Sequence, residues 1–385
     1  MSPSLRFPEF TGEWKEERLS EIADIYKGAG ISKDQLSDNG EPCILYGELY
    51  TKYKTETITE VISRTDIDNT KLVRSKANDV IIPCSGETAE DIATARCVIK
   101  DGILLGGDLN IIRLHNYDGS FVSYQLNGKR KYDIAKVAQG VSVVHLYGEH
   151  LKGVKTVNPC LAEQKKISRF LSLLDERIAV QNRLIEDLKK FKCAIVEKLY
   201  SEIQGKEYSY RQLFEIINER NSRLEYSNVL SASQEKGMVN REDLNLDIKF
   251  ELSNINTYKI VREGDYVIHL RSFQGGFAFS NMVGVCSPAY TIMRPKKLLE
   301  YGYLSYYFTS RKFIKSLIIV TYGIRDGRSI NVDEWLDMKN IIPSKEQQQH
   351  ILRTIKGFEN KIEVEEMYAS CLSKQKQYLL RQMFI

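Results

Sequence analysis

Two stretches of the chain carry apolar side chains at alternating steps of four and three residues. They lie within residues 161–203 and 343–385. Steps that average about 3.5 residues place these positions along one narrow side of a helix, the pattern of a coiled coil. The seam positions are Ile167, Leu171, Leu174, Ile178, Ile185, Leu188, Ile195 and Leu199 in the first helix and Ile351, Ile355, Phe358, Ile362, Leu372, Leu379 and Met383 in the second. We expect the two helices to pack on each other by these seams; the alternative is that each packs separately on its own domain.

Two lysines inside the seams indicate the direction of the pairing. In an in-register parallel pair, Lys192 would face Lys376 in a partly dehydrated site, where like charges repel. An antiparallel pair centred near residues 183 and 367 instead brings Lys376 to Leu174 and Lys192 to Phe358. The sequence therefore predicts an antiparallel coiled coil whose ends carry the preceding domains, related by an approximate two-fold axis.

The chain repeats itself. An offset of 184 residues carries Pro159 onto Pro343 and needs no gap through either helix. Upstream, the matched segments are 19–22 with 213–216, 79–82 with 265–268 and 122–124 with 304–306. The sequence is therefore interpreted as a tandem duplication of a mixed domain followed by a long helix.

The two mixed domains combine short apolar runs typical of strands with a few helical stretches. Runs such as 80–82, 110–114 and 266–268 lie between glycine-containing turns, and helices are expected near 17–25, 121–136 and 303–317. The predicted fold class is α+β, with two tandem domains joined by the helix pair in a pseudo-two-fold repeat. The predicted segments are 1–158 and 204–342 for the two domains, and 159–203 and 343–385 for the two helices.

Composition narrows the choice of partners only slightly. The 55 basic and 51 acidic residues give a net charge of +4, which permits nucleic-acid binding without requiring it. The 7 cysteines are scattered without a CxxC pair, so neither a disulfide framework nor a structural zinc is expected. No apolar run is long enough for a membrane span and the N-terminal residues do not resemble a signal peptide, which leads us to expect a cytoplasmic protein without a membrane partner.

Motifs for catalysis are missing from the sequence. It contains neither a glycine-rich methyl-donor loop nor the GxxxxGK[ST] loop that holds nucleotide phosphates. The 5 histidines are far apart, so no metal site is expected. We predict a chain that is not an enzyme and binds no cofactor itself.

Polar loop tips that differ between the repeats are the candidates for reading DNA bases. They follow matched strands, at 83–88 in one repeat and 269–274 in the other. Hydroxyl, carboxylate, guanidinium and amide groups can each hydrogen bond to base edges. The candidates are Ser85, Glu87 and Thr88 in the first loop and Arg271, Ser272 and Gln274 in the second. Ordinary turn polarity, with a side chain capping a helix, is the alternative interpretation.

Basic clusters recur at matching positions and are candidates for phosphate contact. Lys129 and Arg130 match Arg311 and Lys312, close to the helices expected after the 122–124 and 304–306 segments. Arg325 and Arg328 are further candidates in a loop of the second domain. A solvated helix end is the alternative for either cluster.

Taken together, these features resemble the specificity subunits of type I restriction-modification systems. The likeness lies in the opening segment 5–14, the strand run 78–83 and the entries into the long helices at 159–167 and 343–349, and in the order of two domains and two helices. The resemblance covers the whole chain.

The resemblance implies that each domain reads one half of a bipartite site in double-stranded DNA, while the helix pair sets the distance between the halves. It also implies a scaffold for two modification subunits, which methylate adenine with S-adenosylmethionine, and for two restriction subunits, motor nucleases that use ATP and magnesium. The alternatives are a stand-alone DNA-binding regulator and a structural coiled-coil tether that binds no DNA.

Overall fold

The fold consists of two compact units. The computed structural model describes residues 2–68, 70–140, 143–233, 236–244, 252–269, 276–322 and 329–385. One unit comprises Met1–Arg183 and Glu366–Ile385, and the other comprises Leu184–Glu365. Each unit therefore holds one mixed domain together with part of each long helix, whereas the four-segment division made from the sequence stays a prediction.

The two long helices span Leu161–Ser201 and Lys345–Met383. Both begin two residues after the prolines that mark the repeat, Pro159 and Pro343. Proline lacks the N–H that a helix interior requires, and it tolerates the extended chain that precedes a helix. Every predicted seam side chain is buried or half-buried.

The helices run antiparallel within each unit. In the first unit, Ile167 and Leu171 share a hydrophobic cluster with Leu379 and Met383. In the second unit, the Phe191 and Phe358 rings lie 5.4 Å apart, centre to centre. Positions that come early in one helix therefore meet positions that come late in the other, and the predicted antiparallel coiled coil is confirmed.

A five-stranded and a four-stranded sheet form the first unit's mixed domain, among the described residues. The larger sheet has the order Ala23–Lys27, Leu109–Leu114, Asp79–Pro83, Arg96–Val98 and Thr57–Ile58. The smaller has the order Ser63–Thr65, Glu41–Ile44, Leu104–Leu105 and Val73–Arg74. Two further ladders join Lys15–Arg18 to Lys155–Asn158 and Ser85–Gly86 to Val144–His145.

One four-stranded sheet and several two-stranded ladders form the mixed domain of the second unit, again among the described residues. The sheet has the order Phe214–Ile217, Thr291–Pro295, Tyr266–Ile268 and Phe277–Phe279. The ladders pair Lys206–Ser209 with Lys339–Ile342, Leu230–Ser233 with Gly237–Asn240, Lys259–Val261 with Gly284–Cys286, and Thr321–Tyr322 with Ser329–Ile330.

Short helices cover these sheets. In the first unit they are Leu19–Ile22, Glu48–Thr51, Ala89–Ile92, Gly119–Asn127, Lys131–Val137 and Gly148–Lys152, with a 3-10 turn at Lys33–Gln35. In the second unit they are Tyr210–Leu213, Tyr303–Tyr307, Arg311–Ser316 and Val332–Asp337, with 3-10 turns at Arg241–Leu244, Leu252–Thr257 and Leu317–Val320. The fold class is α+β, as predicted.

Matching side-chain contacts confirm the internal duplication. In the first unit, Arg113 donates two hydrogen bonds to the buried carboxylate of Asp79, at 3.0 and 2.7 Å. In the second unit, Arg294 does the same to Asp265, at 2.9 Å each. Each Asp begins or precedes a central strand, and each Arg lies on the neighbouring strand.

Two details of the sequence interpretation are wrong. The segment 17–25 is mostly strand with a single helical turn at Leu19–Ile22, because residues on both sides of that turn pair with distant strands. That turn corresponds to Tyr210–Leu213 rather than to 213–216, since both turns follow a strand ladder and lead into the edge strand of the main sheet. Apolar residues spaced by three occur in both segments of the second repeat, so the sequence pattern did not distinguish them.

Among the residues that the structure describes, no helix is both long enough and apolar enough to cross a membrane.

Candidate nucleic-acid interface

The first candidate reading loop leaves the end of a central strand of the first unit. After Asp79–Pro83, the chain forms a short ladder in which Ser85 pairs with His145. Glu87 is exposed at the tip. Thr88 caps the helix Ala89–Ile92, because its hydroxyl accepts from the Asp91 N–H at 3.1 Å and donates to the Asp91 carboxylate at 2.7 Å. Glu87 and Thr88 are both exposed, and of the two the Thr88 hydroxyl already has partners within the loop.

A concave surface adjoins this loop. A groove of about 310 Å³ is lined by Cys84 at the base of the loop, by His145 and by Lys27, among others. Lys27 also lines a cleft of about 1140 Å³, together with Lys33 and Lys52. The base of the loop therefore adjoins a groove whose lining carries charges of both signs, because Lys27 lies 3.9 Å from Asp108 and Glu149 lines the same groove.

Exposed aromatic rings lie beside the same loop, and the sequence analysis missed them. The rings of His145 and Tyr147 are stacked with centres 6.2 Å apart. The guanidinium of Arg113 lies 5.2 Å from the centre of the exposed Tyr26 ring. Stacked rings beside cations can pack against sugars and bases. One sequence signal could have revealed these rings. It is the alternation of His145 and Tyr147, which lie between Gly140 and the helix Gly148–Lys152.

The basic cluster of the first unit divides into one exposed and one engaged side chain. Lys129 is exposed in the turn between Gly119–Asn127 and Lys131–Val137. Arg130 is half-buried, with its guanidinium 3.5 Å from the Asp133 carboxylate and 3.4 Å from the Ile385 carbonyl. Lys129 is therefore better placed than Arg130 to reach a phosphate.

The basic cluster of the second unit begins a helix. Ser310 caps the helix Arg311–Ser316, and the Arg311 backbone N–H donates to a Glu197 carboxylate oxygen at 2.7 Å. The side chains of Arg311 and Lys312 are exposed. Both are available for phosphate contact. The remaining candidates Arg271, Ser272, Gln274, Arg325 and Arg328 lie outside the described residues.

Burial keeps the thiol at the base of the loop protonated. It raises the pKa of Cys84 to about 11 and that of the neighbouring strand's Cys97 to about 12. Protonated thiols are poor nucleophiles and poor metal ligands at neutral pH. Within the described ranges, no group of His, Cys, Asp and Glu side chains is arranged to hold a metal ion.

Comparisons with known proteins agree with this picture. A family model described as the type I restriction modification DNA specificity domain matches residues 11–190. The specificity subunit of the type I restriction enzyme MjaVIII from Methanocaldococcus jannaschii is 23% identical, over 98% of this chain and 92% of its own length.

Solved structures share the fold over the whole chain. The crystal structure of the S subunit of a type I restriction-modification system from M. genitalium superimposes with a TM-score of 0.57 at 14% identity, covering 100% of this chain and 99% of that chain. A structure described as underlying complex assembly and conformational transition of the type I restriction-modification system gives a TM-score of 0.61 at 13% identity, covering 98% of each.

The fold is a mixed domain and a long helix, each present twice, and the solved S subunit from M. genitalium shares it. Residues 11–190 match the type I restriction modification DNA specificity domain, in agreement with the resemblance drawn from the sequence. The family model covers the first repeat, and the structural duplication extends the same architecture to the second. Neither a stand-alone regulator nor a tether without DNA binding is supported by these comparisons.

Proposed function

We propose that this chain directs a type I restriction-modification complex to its DNA. Each mixed domain reads one half of a bipartite double-stranded site, and the antiparallel helix pair sets the gap between the halves. The observation that carries the proposal is the repeated domain-and-helix architecture, whose first copy matches the DNA specificity family over residues 11–190. Two copies of one reading domain suit two separate half-sites.

Exposed apolar side chains on the long helices are the argument for protein partners. Apolar side chains outside the seams are exposed on both long helices. In the first unit they include Phe170, Leu173, Val180, Met367 and Tyr378, and in the second Leu184, Phe191 and Val364. Single exposed apolar side chains are common on protein surfaces, but their recurrence along both long helices favours a protein interface there. Because Val180 and Val364 are equivalent in the two repeats, the duplication offers two related docking surfaces.

The partners we propose are two modification subunits and two restriction subunits. Adenine methylation with S-adenosylmethionine, and ATP- and magnesium-dependent movement and cleavage, belong in this proposal to those subunits and not to this chain. A cytoplasmic location is part of the same proposal.

Co-purification from the native cell tests the partners. We expect modification and restriction subunits to be recovered with a tagged chain. Recovery of the chain without a methyltransferase would favour a stand-alone regulator. DNA binding that is absent, or that does not weaken as salt rises, would favour a tether.

Assays on the isolated chain test whether methylation and cleavage belong to the partner subunits. Supplied with S-adenosylmethionine, ATP and magnesium, it should neither methylate nor cut DNA, and adding the partner subunits should restore both activities. Methyl transfer by the chain alone would contradict the proposal.

A further inference from the structure

A buried polar cluster links the mixed domain of the first unit to both long helices. Lys376 of the second long helix donates to Asp175 of the first at 2.6 Å and to Glu56 of the mixed domain at 2.7 Å. The Tyr124 hydroxyl, also from the mixed domain, donates to Asp175 at 2.6 Å. The side chains of Lys376 and Asp175 are only 15% and 7% exposed. Three separate segments of chain therefore meet at one ionic site.

The second unit contains the equivalent cluster. Lys192 of the first long helix donates to Glu359 of the second at 3.3 Å. The Tyr306 hydroxyl of the mixed domain donates to the same carboxylate at 2.7 Å. Lys192 is 28% exposed, so this cluster is less buried.

The two clusters are related by the internal repeat. Tyr124, Asp175 and Lys376 correspond to Tyr306, Glu359 and Lys192. Each triad, as we name these two sets, takes its tyrosine and carboxylate from one repeat and its lysine from the other. The lysine comes from the other repeat because the two long helices run antiparallel. The first triad has a further member, Glu56, so Lys376 faces two carboxylates.

The lysines favour the observed register of the helix pair over registers that are slipped by one heptad. A slip of the helices by one heptad, about 10 Å, would keep apolar seam positions facing one another. It would bring Lys376 to the level of Ser168 or Asn182 instead of Asp175, depending on direction. The lysine would lose its facing carboxylate, and Asp175 would stay buried without a cation. An unpaired buried charge is strongly unfavourable, so the triad disfavours slipped registers that hydrophobic packing alone tolerates.

The tyrosines connect each mixed domain to the helix pair. Tyr124 lies on the helix Gly119–Asn127, packed in the core of its domain, and its hydroxyl reaches Asp175 on the long helix. Burial and the Asp175 charge raise the pKa of Tyr124, so the phenol stays a donor. The domain is therefore attached at a defined point along the helix pair.

We propose that the two triads are register locks: they fix the alignment of the helix pair and the point at which each mixed domain docks, and so fix the gap between the DNA half-sites. The statement about the gap rests on the proposed function, whereas the statement about register does not. Tyr124, Asp175, Lys376 and their counterparts are positioning residues that need not touch DNA.

The test separates register from stability by neutralising both triads. The variant carries Lys376→Met, Glu56→Gln, Asp175→Asn, Lys192→Met and Glu359→Gln. Neutral groups of similar size avoid buried unpaired charge, so the chain should stay folded. Lys374→Met and Lys190→Met, at exposed positions near each seam lysine, are the matched controls.

Disulfide trapping reads the register directly. The background has the exposed Cys160, Cys193 and Cys371 changed to serine. Arg177→Cys/Gln375→Cys reports the native register, because the pairing of Asp175 with Lys376 brings residues 177 and 375 nearly level and each directly precedes a seam position. Arg177→Cys with Tyr368→Cys or Gln382→Cys reports registers slipped by one heptad in either direction. The ratio of native to slipped cross-links should fall about tenfold or more in the neutral variant and stay unchanged in the controls. A folded neutral variant that keeps the native ratio would overturn the lock.

Sequencing of methylated sites in cells tests the consequence for DNA. With its partner subunits, the neutral variant should modify the same half-sites at more than one gap, whereas the controls should keep a single gap. A single unchanged gap would contradict the claim about spacing. If the unaltered chain directs no bipartite methylation, the proposed function fails, while the cross-linking ratio still decides whether the triads hold the register.

Discussion

A lysine inside a hydrophobic seam is stable where carboxylates face it, and Lys376 meets two. Burial alone would lower the pKa of this lysine, but Glu56 and Asp175 together raise it above the ordinary value of 10.5. The pKa of Lys376 is higher in the folded than in the unfolded chain. Below pH 10.5 the lysine is charged in both states, and its ion pairs contribute their full stabilisation. That contribution is lost as pH rises through the folded-state pKa.

The stability effect of Lys376→Met should therefore depend on pH. At about pH 8 the substitution leaves two carboxylates unpaired and should lower the free energy of unfolding by about 3 kcal/mol. Well above pH 10.5 the difference should shrink, because the lysine of the unaltered chain is then losing its charge. Urea unfolding of both proteins across this range measures the effect. An equal difference at both ends of the range would contradict the pairing.

Exposed basic residues should affect DNA binding, whereas a partly buried one should mainly affect stability. Lys129→Ala should weaken binding to all sequences alike and reduce the log–log salt slope by about one, because a phosphate contact carries no sequence information. Arg311→Ala should act in the same way through the second unit. Arg130→Ala is a useful comparison, since this partly buried side chain faces Asp133 and should affect stability more than binding. Binding titrations on specific and random duplexes at several salt concentrations measure these effects.

The loop that holds Arg271 and Gln274 lies outside the described residues, and its prediction rests on the amino-acid sequence. Arg271→Ala or Gln274→Ala should relax one half of the recognised site by about 1–3 kcal/mol per lost base contact. Competition binding with duplexes altered in one half-site measures this. Equal relaxation in both halves would show that one domain does not serve one half.

Among the elements, the long helices were the most predictable because their signal is local and sustained. The alternating four and three steps gave their spans to within a few residues, and Lys192 with Lys376 gave their direction. The carboxylates that pair with these lysines, Asp175 and Glu359, lie beside seam positions and not on them. Their role became visible only in the folded chain.

Strands and edge segments were harder to predict because their partners are distant in sequence. Arg113 lies in a strand that the sequence indicated, but its pairing with Asp79 depends on the order of strands in the sheet. Thr88 is a base-reading candidate from the sequence, and in the structure its hydroxyl caps a helix. A helix cap and a reading loop use the same polar residue types, so Thr88 stays a candidate for base reading.

Lengthening both helices tests their role as a spacer. Inserting one heptad after Asp187 and after Cys371, which are equivalent positions, keeps the seam and adds about 10 Å. At about 3.4 Å per base pair, the half-sites should move apart by about three base pairs with their sequences unchanged. The change of helical phase should also weaken binding. Unchanged spacing at undiminished activity, read from the methylated motif in cells, would show that these helices do not set the gap.

At the scale of the whole molecule, one duplicated design accounts for most features of the chain. The order of four strands in the main sheet, the Asp–Arg pair and the triad occur in both units, whereas the sequences of the loops 83–88 and 269–274 differ. A shared framework with divergent tips suits two domains that read different sequences from one scaffold. That division predicts that a change in one domain alters one half of the site.

The most direct test of this claim is sequencing of the methylated sites in cells that carry the chain with its partner subunits, with and without Glu87→Ala together with Ser85→Ala. Glu87 is exposed at the tip of the first loop and Ser85 lies in the ladder beside it. The unaltered chain should direct methylation to a bipartite motif with a fixed gap, and the double variant should relax one half while the other half and the gap stay the same. A continuous motif, or a variant that alters both halves together, would contradict the assignment of one domain to each half.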